Sequence, residues 1–328
     1  MRVSVDGVLS DPVLVTSSVP QGTVLGPEFF LIFINDIIDI IPDGISIKLF
    51  ADDIKLYNNG SDVLSRVALQ DALDQILAWA NKWQLTLAPQ KCAYLSLHNI
   101  NKRIVPPNYM LDQVQLPLAT KIRDLGIIVD TNLKYHGHVT EVCARAYRVV
   151  NVLFRTFQSF QSKNYIMLYT ALARSILEYG DQVWSPSYIT YQQQIEKVQR
   201  YFTRRLYWKL QWPMEPYLQR LERLHLEPLI TRRFKQDVIF LYKILNDLVH
   251  VDFQDIFQPL NRPLRNSEHK LQAIPASKMV RQHHFVVRVI KLWNSLPVEV
   301  ASAHKLSLFR SRLSRITFQD HIPINFFD

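Results

Sequence analysis

From His136 onward, apolar residues recur three and four positions apart: Val139, Val142, Cys143, Ala146, Val149, Val150, Leu153, Phe154 and Phe157. Held over about five turns, that spacing makes one apolar stripe on a long helix, and only other helices can cover a stripe of that length. Two partners with the same period follow, one through Tyr165, Leu168, Tyr169, Leu172 and Ile176, the other through Ile195, Val198, Phe202 and Leu206. The second half of the chain is therefore expected to be mainly helical.

The N-terminal part has a different period. "GISIKLF" and "IKLY" alternate, apolar at Ile45, Ile47 and Leu49 and again at Ile54 and Leu56, around the tight "ADD", which predicts a β-hairpin. A helix is expected from Ser61 as N-cap, with Leu69, Leu73, Ile76, Leu77, Ala80 and Trp83 on its inner face. "KCAYLSL" and "IRDLGIIVD" are further strand candidates. Beyond Val249 the periodicity weakens, and "PLNRPLRNSEHK" reads as a linker. The fold class expected is α+β.

Charge and glycine divide the chain at the same place. Lys and Arg balance Asp and Glu at 16 each up to residue 180, whereas beyond it they stand at 22 against 13, so the net charge of +9 lies in the C-terminal part. All 8 glycines precede residue 181, and nine of the 17 prolines follow it. Average usage is roughly 7 per cent glycine, so each glycine here is expected to meet a local backbone need. Two of them flank "TVL" in the stretch "SSVPQGTVLGP". Cys92 and Cys143 have no partner at metal-ligand spacing and read as reduced, packed thiols. No apolar run reaches the roughly 18–20 residues of a membrane helix, since "FFLIFINDIIDIIP" is interrupted by Asn35, Asp36 and Asp39.

Asp52 and Asp53 sit at the hairpin turn. Adjacent acids there are ordinarily solvated. The alternative is a divalent ion, because paired carboxylates holding two magnesium ions about 4 Å apart support in-line phosphoryl displacement. The third helix carries Lys197, Arg200, Arg204 and Arg205, with Lys209 a turn later, interleaved with Gln194, Tyr201 and Tyr207. That face is either a solvated surface or a nucleic-acid contact, in which cations meet phosphates and aromatic rings meet bases. Arg145, Arg148 and Arg155 are second-rank candidates, and "TRRFKQD" adds another basic cluster.

Taken in order, "SSVPQGTVLGPEFFLIFINDI", "KLFADDIKLY", "WANKWQLTLAPQKC" and "IRDLGIIVD" closely resemble the reverse transcriptase of non-long-terminal-repeat (LINE-type) retrotransposons from the middle of the palm onward. "LEYGDQVWSP", "IEKVQRYFTRRL", "LERLHLEPLITRRFKQD" and "LWNSLPVEV" extend the resemblance downstream. It implies a partial right-hand palm over 1–130, a helical thumb over 131–210, and a basic helical region over 211–328 with a linker near 255–275.

The resemblance also implies site roles. Asp52 becomes the direct magnesium ligand and Asp53 its more weakly coupled neighbour. Pro20, Gln21 and Gly22 contact nucleotide and template, with Gly22 and Gly26 allowing close backbone approach; the alternative is a turn that Gly22 and Pro27 merely shape. Phe50 and Ala51 belong to the same nucleotide site, Lys91 neutralises or protonates the leaving pyrophosphate, and Leu125 with Gly126 grips the primer. The implied partners are an RNA template, a DNA primer or their hybrid, and deoxynucleoside triphosphates; no membrane is implied. Ser17 and Ser18 stand where the family has Ser-Gly, and the earlier block carrying a third catalytic aspartate has no counterpart in this sequence. The expectation is a polymerase fragment that is inactive alone. The alternative is a non-catalytic remnant that holds RNA or hybrid duplex by charge.

Overall fold

A computed structural model describes residues 2–14, 22–59, 62–97, 107–157, 161–260 and 269–327. The chain divides into two compact units, one comprising Met1–Ser96 and Asn101–Ala119, the other carrying Thr120–Asp328.

In the first unit, a small antiparallel pair, β1 (Ser4–Val5) and β2 (Val8–Leu9), precedes helix α1 (Gly26–Ile34), which has Pro27 in its first turn. The expected hairpin follows as β3 (Ser46–Phe50) and β4 (Asp53–Tyr57), paired antiparallel from Ser46↔Tyr57 to Phe50↔Asp53. Two-residue alternation sends Ile47, Leu49, Ile54 and Leu56 to one side, where they pack with Ile34, Ile37, Ile76, Trp79 and Ala80. The last three belong to α2 (Val63–Lys82), whose start is fixed by Asp62: Oδ1 accepts from the Ser65 N–H at 2.8 Å. The cap is thus Asp62; Ser61 lies outside the described residues. Trp83, expected on the inner face, is exposed just past the helix end, edge-on to Phe33.

Short pairings complete this unit: β5 (Tyr94–Leu95) runs parallel to β8 (Leu118–Ala119), and β6 (Met110–Leu111) pairs with β7 (Val114–Gln115). "KCAYLSL" therefore yields only a two-residue strand. Gln70 of α2 ties β6 down, its amide exchanging two 2.9 Å hydrogen bonds with the Met110 backbone.

In the second unit, "IRDLGIIVD" proves to be a hairpin, β9 (Lys121–Asp124) and β10 (Ile127–Asp130), because Leu125 and Gly126 both take positive φ, 45° and 85°. Leucine is rare in that conformation, so the reversal was hidden from a reading by residue type. The long helix appears as α3 (His136–Thr156), its apolar stripe buried as expected except for half-buried Val149 and Phe157. The second stripe is one helical run from α4 (Ser162–Leu168) through a π-type stretch, Tyr169–Arg174, to α5 (Ser175–Glu178). Tyr165 stacks on Phe154, and Tyr169 on Phe202. After α6 (Asp181–Trp184) comes the third stripe, α7 (Ile189–Lys209), running in the direction of α3: Cys143 reaches Gln194, Tyr147 meets Tyr201, and Asn151 meets Arg205.

Glu196, buried on α7, joins three elements. Its carboxylate accepts from the Tyr217 hydroxyl of α8 (Tyr217–Arg223) at 2.5 Å and from the Leu229 and Ile230 amides at 3.1 and 3.2 Å. Those amides open α9 (Leu229–Leu245), where four N–H groups have no partner inside the helix and the helix dipole favours a negative charge.

The C-terminal region, where periodicity faded, contains a large core of its own. Short helices α10 (Met279–Gln282) and α12 (Val298–Ala301) accompany α11 (Phe285–Asn294) and α13 (Leu306–Leu313). Val289, Trp293, Phe309 and Leu313 close against Val238, Leu241 and Tyr242 of α9. Each such side chain contributes about 1.5–3 kcal/mol by leaving water. Of the expected linker, residues 261–268 lie outside the described residues, and its flanks are bridged at Pro259↔Leu271.

Candidate functional site

The β3–β4 hairpin lifts its turn clear of the core. Phe50↔Asp53 is the closing pair, leaving Ala51 and Asp52 as the reversal, with Ala51 at φ 50°. Alternation sends Phe50 and Asp53 to the face opposite Leu49 and Ile54, and Phe50 is 64% exposed. Phe50, Ala51, Asp52 and Asp53 are thus gathered on one exposed turn. Neither carboxylate is taken up by an ion pair among the described residues. Two adjacent, exposed carboxylates form a hard-oxygen donor set that fits magnesium, an ion usually bound through one or two carboxylates with water and phosphate oxygens completing the shell. Among the described residues no group of three His, Cys, Asp or Glu side chains gathers as a fuller ligand set.

The other expected residues are distributed more widely. Lys91 ends a short 3₁₀ turn, Pro89–Lys91, is exposed, and makes no ion pair with Asp52 or Asp53. Pro20 and Gln21 lie outside the described residues, as do Ser17 and Ser18. Gly22 has φ +83°, and a Cβ there would meet nothing within 4 Å, so its backbone conformation is what asks for glycine. Gly26 is buried at the start of α1. Leu125 and Gly126 belong to the second unit, where the Tyr179 hydroxyl donates to Leu125 O at 3.1 Å and Arg123 donates to Gly126 O at 3.3 Å.

The basic residues of α7 divide into two groups. Arg200 donates to the Phe327 carbonyl at 2.5 Å and lies 4.9 Å over the Tyr217 ring. Arg205 donates to Asn151 Oδ1 at 2.5 Å and to the Tyr201 hydroxyl at 3.0 Å, against the Phe154 ring. Both cations are engaged internally, whereas Lys197, Arg204 and Lys209 are exposed, as are Arg145, Arg148 and Arg155 on α3. Tyr207, expected between the cations, is buried and donates to Glu215 at 2.7 Å. The open aromatic residue of this helix is Trp208, which helical spacing from Arg204 could have revealed.

"TRRFKQD" is not a surface cluster. Arg232 makes a two-pronged pair with Glu178 at 2.5 and 2.9 Å, Arg233 stacks 4.2 Å from the Trp184 ring, and Lys235 pairs with Glu227. On α9 these positions face inward, and cations there need partners because an isolated charge is costly to bury. Asp181, 1% exposed, lies in the same interior, and among the described residues neither of its carboxylate oxygens, nor Nε and Nη1 of Arg233, has a hydrogen-bond partner.

Comparison with known proteins fits the hairpin-bearing region. Residues 4–139 match the family described as reverse transcriptase (RNA-dependent DNA polymerase). Over part of its length the chain is similar to retrotransposon reverse transcriptases. It is 26% identical over 215 residues to the RNA-directed DNA polymerase from mobile element jockey of Drosophila funebris, a match covering 62% of this chain and 23% of that protein. With the probable RNA-directed DNA polymerase from transposon X-element of Drosophila melanogaster it shares 25% identity over 192 residues, 56% of this chain and 21% of the other. The corresponding protein from transposon BS of the same fly is 27% identical over 198 residues, again 56% and 21%. The chain thus spans about a quarter of the length of these reverse transcriptases or less. No solved structure matches it. Among the described residues no helix is long and apolar enough to cross a membrane.

Proposed function

We propose that the chain is a working part of an RNA-directed DNA polymerase, with the Asp52–Asp53 turn as its metal-binding edge. The observation that carries this is the exposed carboxylate pair, held on a packed hairpin inside the segment that matches the reverse transcriptase family. Asp52 is the direct ligand of magnesium and Asp53 the weaker one, on a donor set that suits that ion. Bound there, the metal supplies charge neutralisation for a nucleoside triphosphate and activation of the primer hydroxyl.

The protein's own residues do the positioning. Phe50 offers an exposed ring beside the carboxylates, where a primer end can rest, and the left-handed turn at Ala51 holds Asp52 clear of the sheet. Gly22, with Pro20 and Gln21, serves nucleotide and template, Lys91 the pyrophosphate, and Leu125 with Gly126 the primer. In this reading residues 1–130 are palm, 131–210 thumb and 211–328 a basic helical extension. Extension of a primer needs a third acidic ligand beyond Asp52 and Asp53.

A second reading rests on its own observation: the exposed cations of α3 and α7 suit a nucleic-acid backbone with or without polymerisation. One experiment separates the two. Manganese binding followed by electron paramagnetic resonance, alongside extension of a DNA primer on an RNA template, is measured for the chain and for Asp52→Asn, Asp53→Asn. Carboxylate-dependent metal binding supports the polymerase reading. Equal metal uptake by parent and variant overturns it, and retention of RNA that falls steeply with salt and ignores magnesium then leaves the second.

A further inference from the structure

Trp208 is an aromatic residue of α7 whose position packing does not explain. It is 74% exposed. Its aromatic neighbours are all engaged: Tyr207 through Glu215, Tyr201 through Asn151 at 2.7 Å, and Trp212 edge-on to Tyr207 beneath the Arg223 guanidinium, 4.0 Å from its ring. Among the described residues the Trp208 indole makes no ring contact and no hydrogen bond. Since its burial would contribute more than that of most side chains, leaving it in water points to an outside partner.

The surroundings indicate the chemistry of that partner. Lys197, Tyr201, Arg204 and Trp208 follow one another at helical spacing, forming a stripe about 16 Å long by helix rise, the scale of a few nucleotides. Lys209, the next residue, is exposed as well, as are Arg148 and Arg155 on the parallel helix α3. The stripe carries no opposing charge. Glu196, the one acid of α7, is buried in three hydrogen bonds, and Glu141, the one acid of α3, is held by Arg123 at 2.7 Å.

We infer that Trp208 is a stacking platform for an unpaired base, with Lys197, Arg204 and Lys209 holding the phosphates that lead to it, so that this face takes a single strand in preference to blunt duplex. The inference rests on the nucleic-acid reading given above and specifies the ligand of that face. The cations serve either form, because both carry phosphates. The indole serves only the single strand, because duplex bases are already stacked on one another and a free base offers its π-face. An anionic membrane suits this face less, since Trp208 on α7 and Val152 on α3 stand singly among cations and a surface helix needs a continuous apolar face to insert.

The test is fluorescence anisotropy on the full chain, with a labelled uridine oligoribonucleotide and a blunt RNA duplex of equal length at one salt concentration. Trp208→Ala is expected to weaken the single strand about tenfold or more, leaving the duplex unchanged. Trp208→Phe restores most of the loss, and Lys197→Ala with Arg204→Ala weakens both ligands. Because the ring is exposed, Trp208→Ala is expected to fold normally, which circular dichroism checks. Equal loss on both ligands, or none on either, overturns the stacking inference and leaves the nucleic-acid reading standing. A parent chain that binds neither RNA, or binds only phosphatidylserine vesicles, removes both.

Discussion

Phe50 and Asp53 face each other as the last pair of the β3–β4 hairpin, and both side chains are exposed while their neighbours Leu49 and Ile54 join the core. The ladder thus carries the carboxylates without using them. Replacing Asp52 and Asp53 by Asn is expected to change stability by less than about 0.5 kcal/mol, so lost metal binding in that variant reports on the site and not on folding. Ala51→Gly is expected to stabilise by about 0.5–1 kcal/mol: relief of a left-handed alanine, about 1–2 kcal/mol, outweighs the added flexibility of unfolded glycine. Urea denaturation of the three proteins measures both effects.

The two groups of cations on α7 should separate in binding and stability. Lys197→Ala with Arg204→Ala is expected to lower the slope of log affinity against log salt by about 2, one for each lost phosphate contact, and to leave the fold unchanged. Arg205→Ala loses its hydrogen bonds to Asn151 and Tyr201 and is expected to cost about 1–3 kcal/mol. A salt titration of RNA binding and a urea melt of each variant test this division.

Arg288 of α11 and Asp237 of α9 are joined by hydrogen bonds of 2.8 and 3.0 Å, with the Asp237 side chain only 3% exposed. Removing one partner strands the other charge in the interior. Asp237→Ala is expected to cost about 3–5 kcal/mol, and the double variant with Arg288→Ala less than the sum of the singles. Additive losses in denaturant titrations would show that the pair does not act as a unit.

Asp181 gives a pH dependence of definite sign. Burial pushes its carboxyl up to about 7, with Arg233 opposing and Asp237 and Glu178 reinforcing the shift. An acid whose folded pKa is raised contributes fully below its unfolded value near 4, and that contribution is lost as pH rises toward 7, while the unfolded state ionises and the folded state resists. His138 acts oppositely: burial lowers it to about 4, so its contribution is lost as pH falls from about 6.5 toward 4. Comparing Asp181→Asn with the parent cancels the histidine. The variant is expected to gain stability relative to the parent as pH rises from 4 to 7, by more than about 1 kcal/mol in total. A constant difference between the two across that range, measured by urea denaturation, would contradict the assignment.

Local pattern was enough for much of this protein. Alternation set the core side of the β3–β4 hairpin and so placed Asp52 and Asp53 at its turn, and helical spacing marked the buried stripes of α3 and α7. Both periods are properties of neighbouring residues, which a sequence displays directly. The tertiary structure decided the rest, because it depends on residues far apart in the chain. "TRRFKQD" reads as surface charge until Glu178, 54 positions earlier, closes on Arg232. Arg200 reads as an open cation until the Phe327 carbonyl, 127 positions later, occupies it. Composition counted the charges of the C-terminal half. Whether each meets solvent, a ring or an opposite charge was fixed by which helices pack together, since a buried ion persists only where a distant partner offsets its lost hydration.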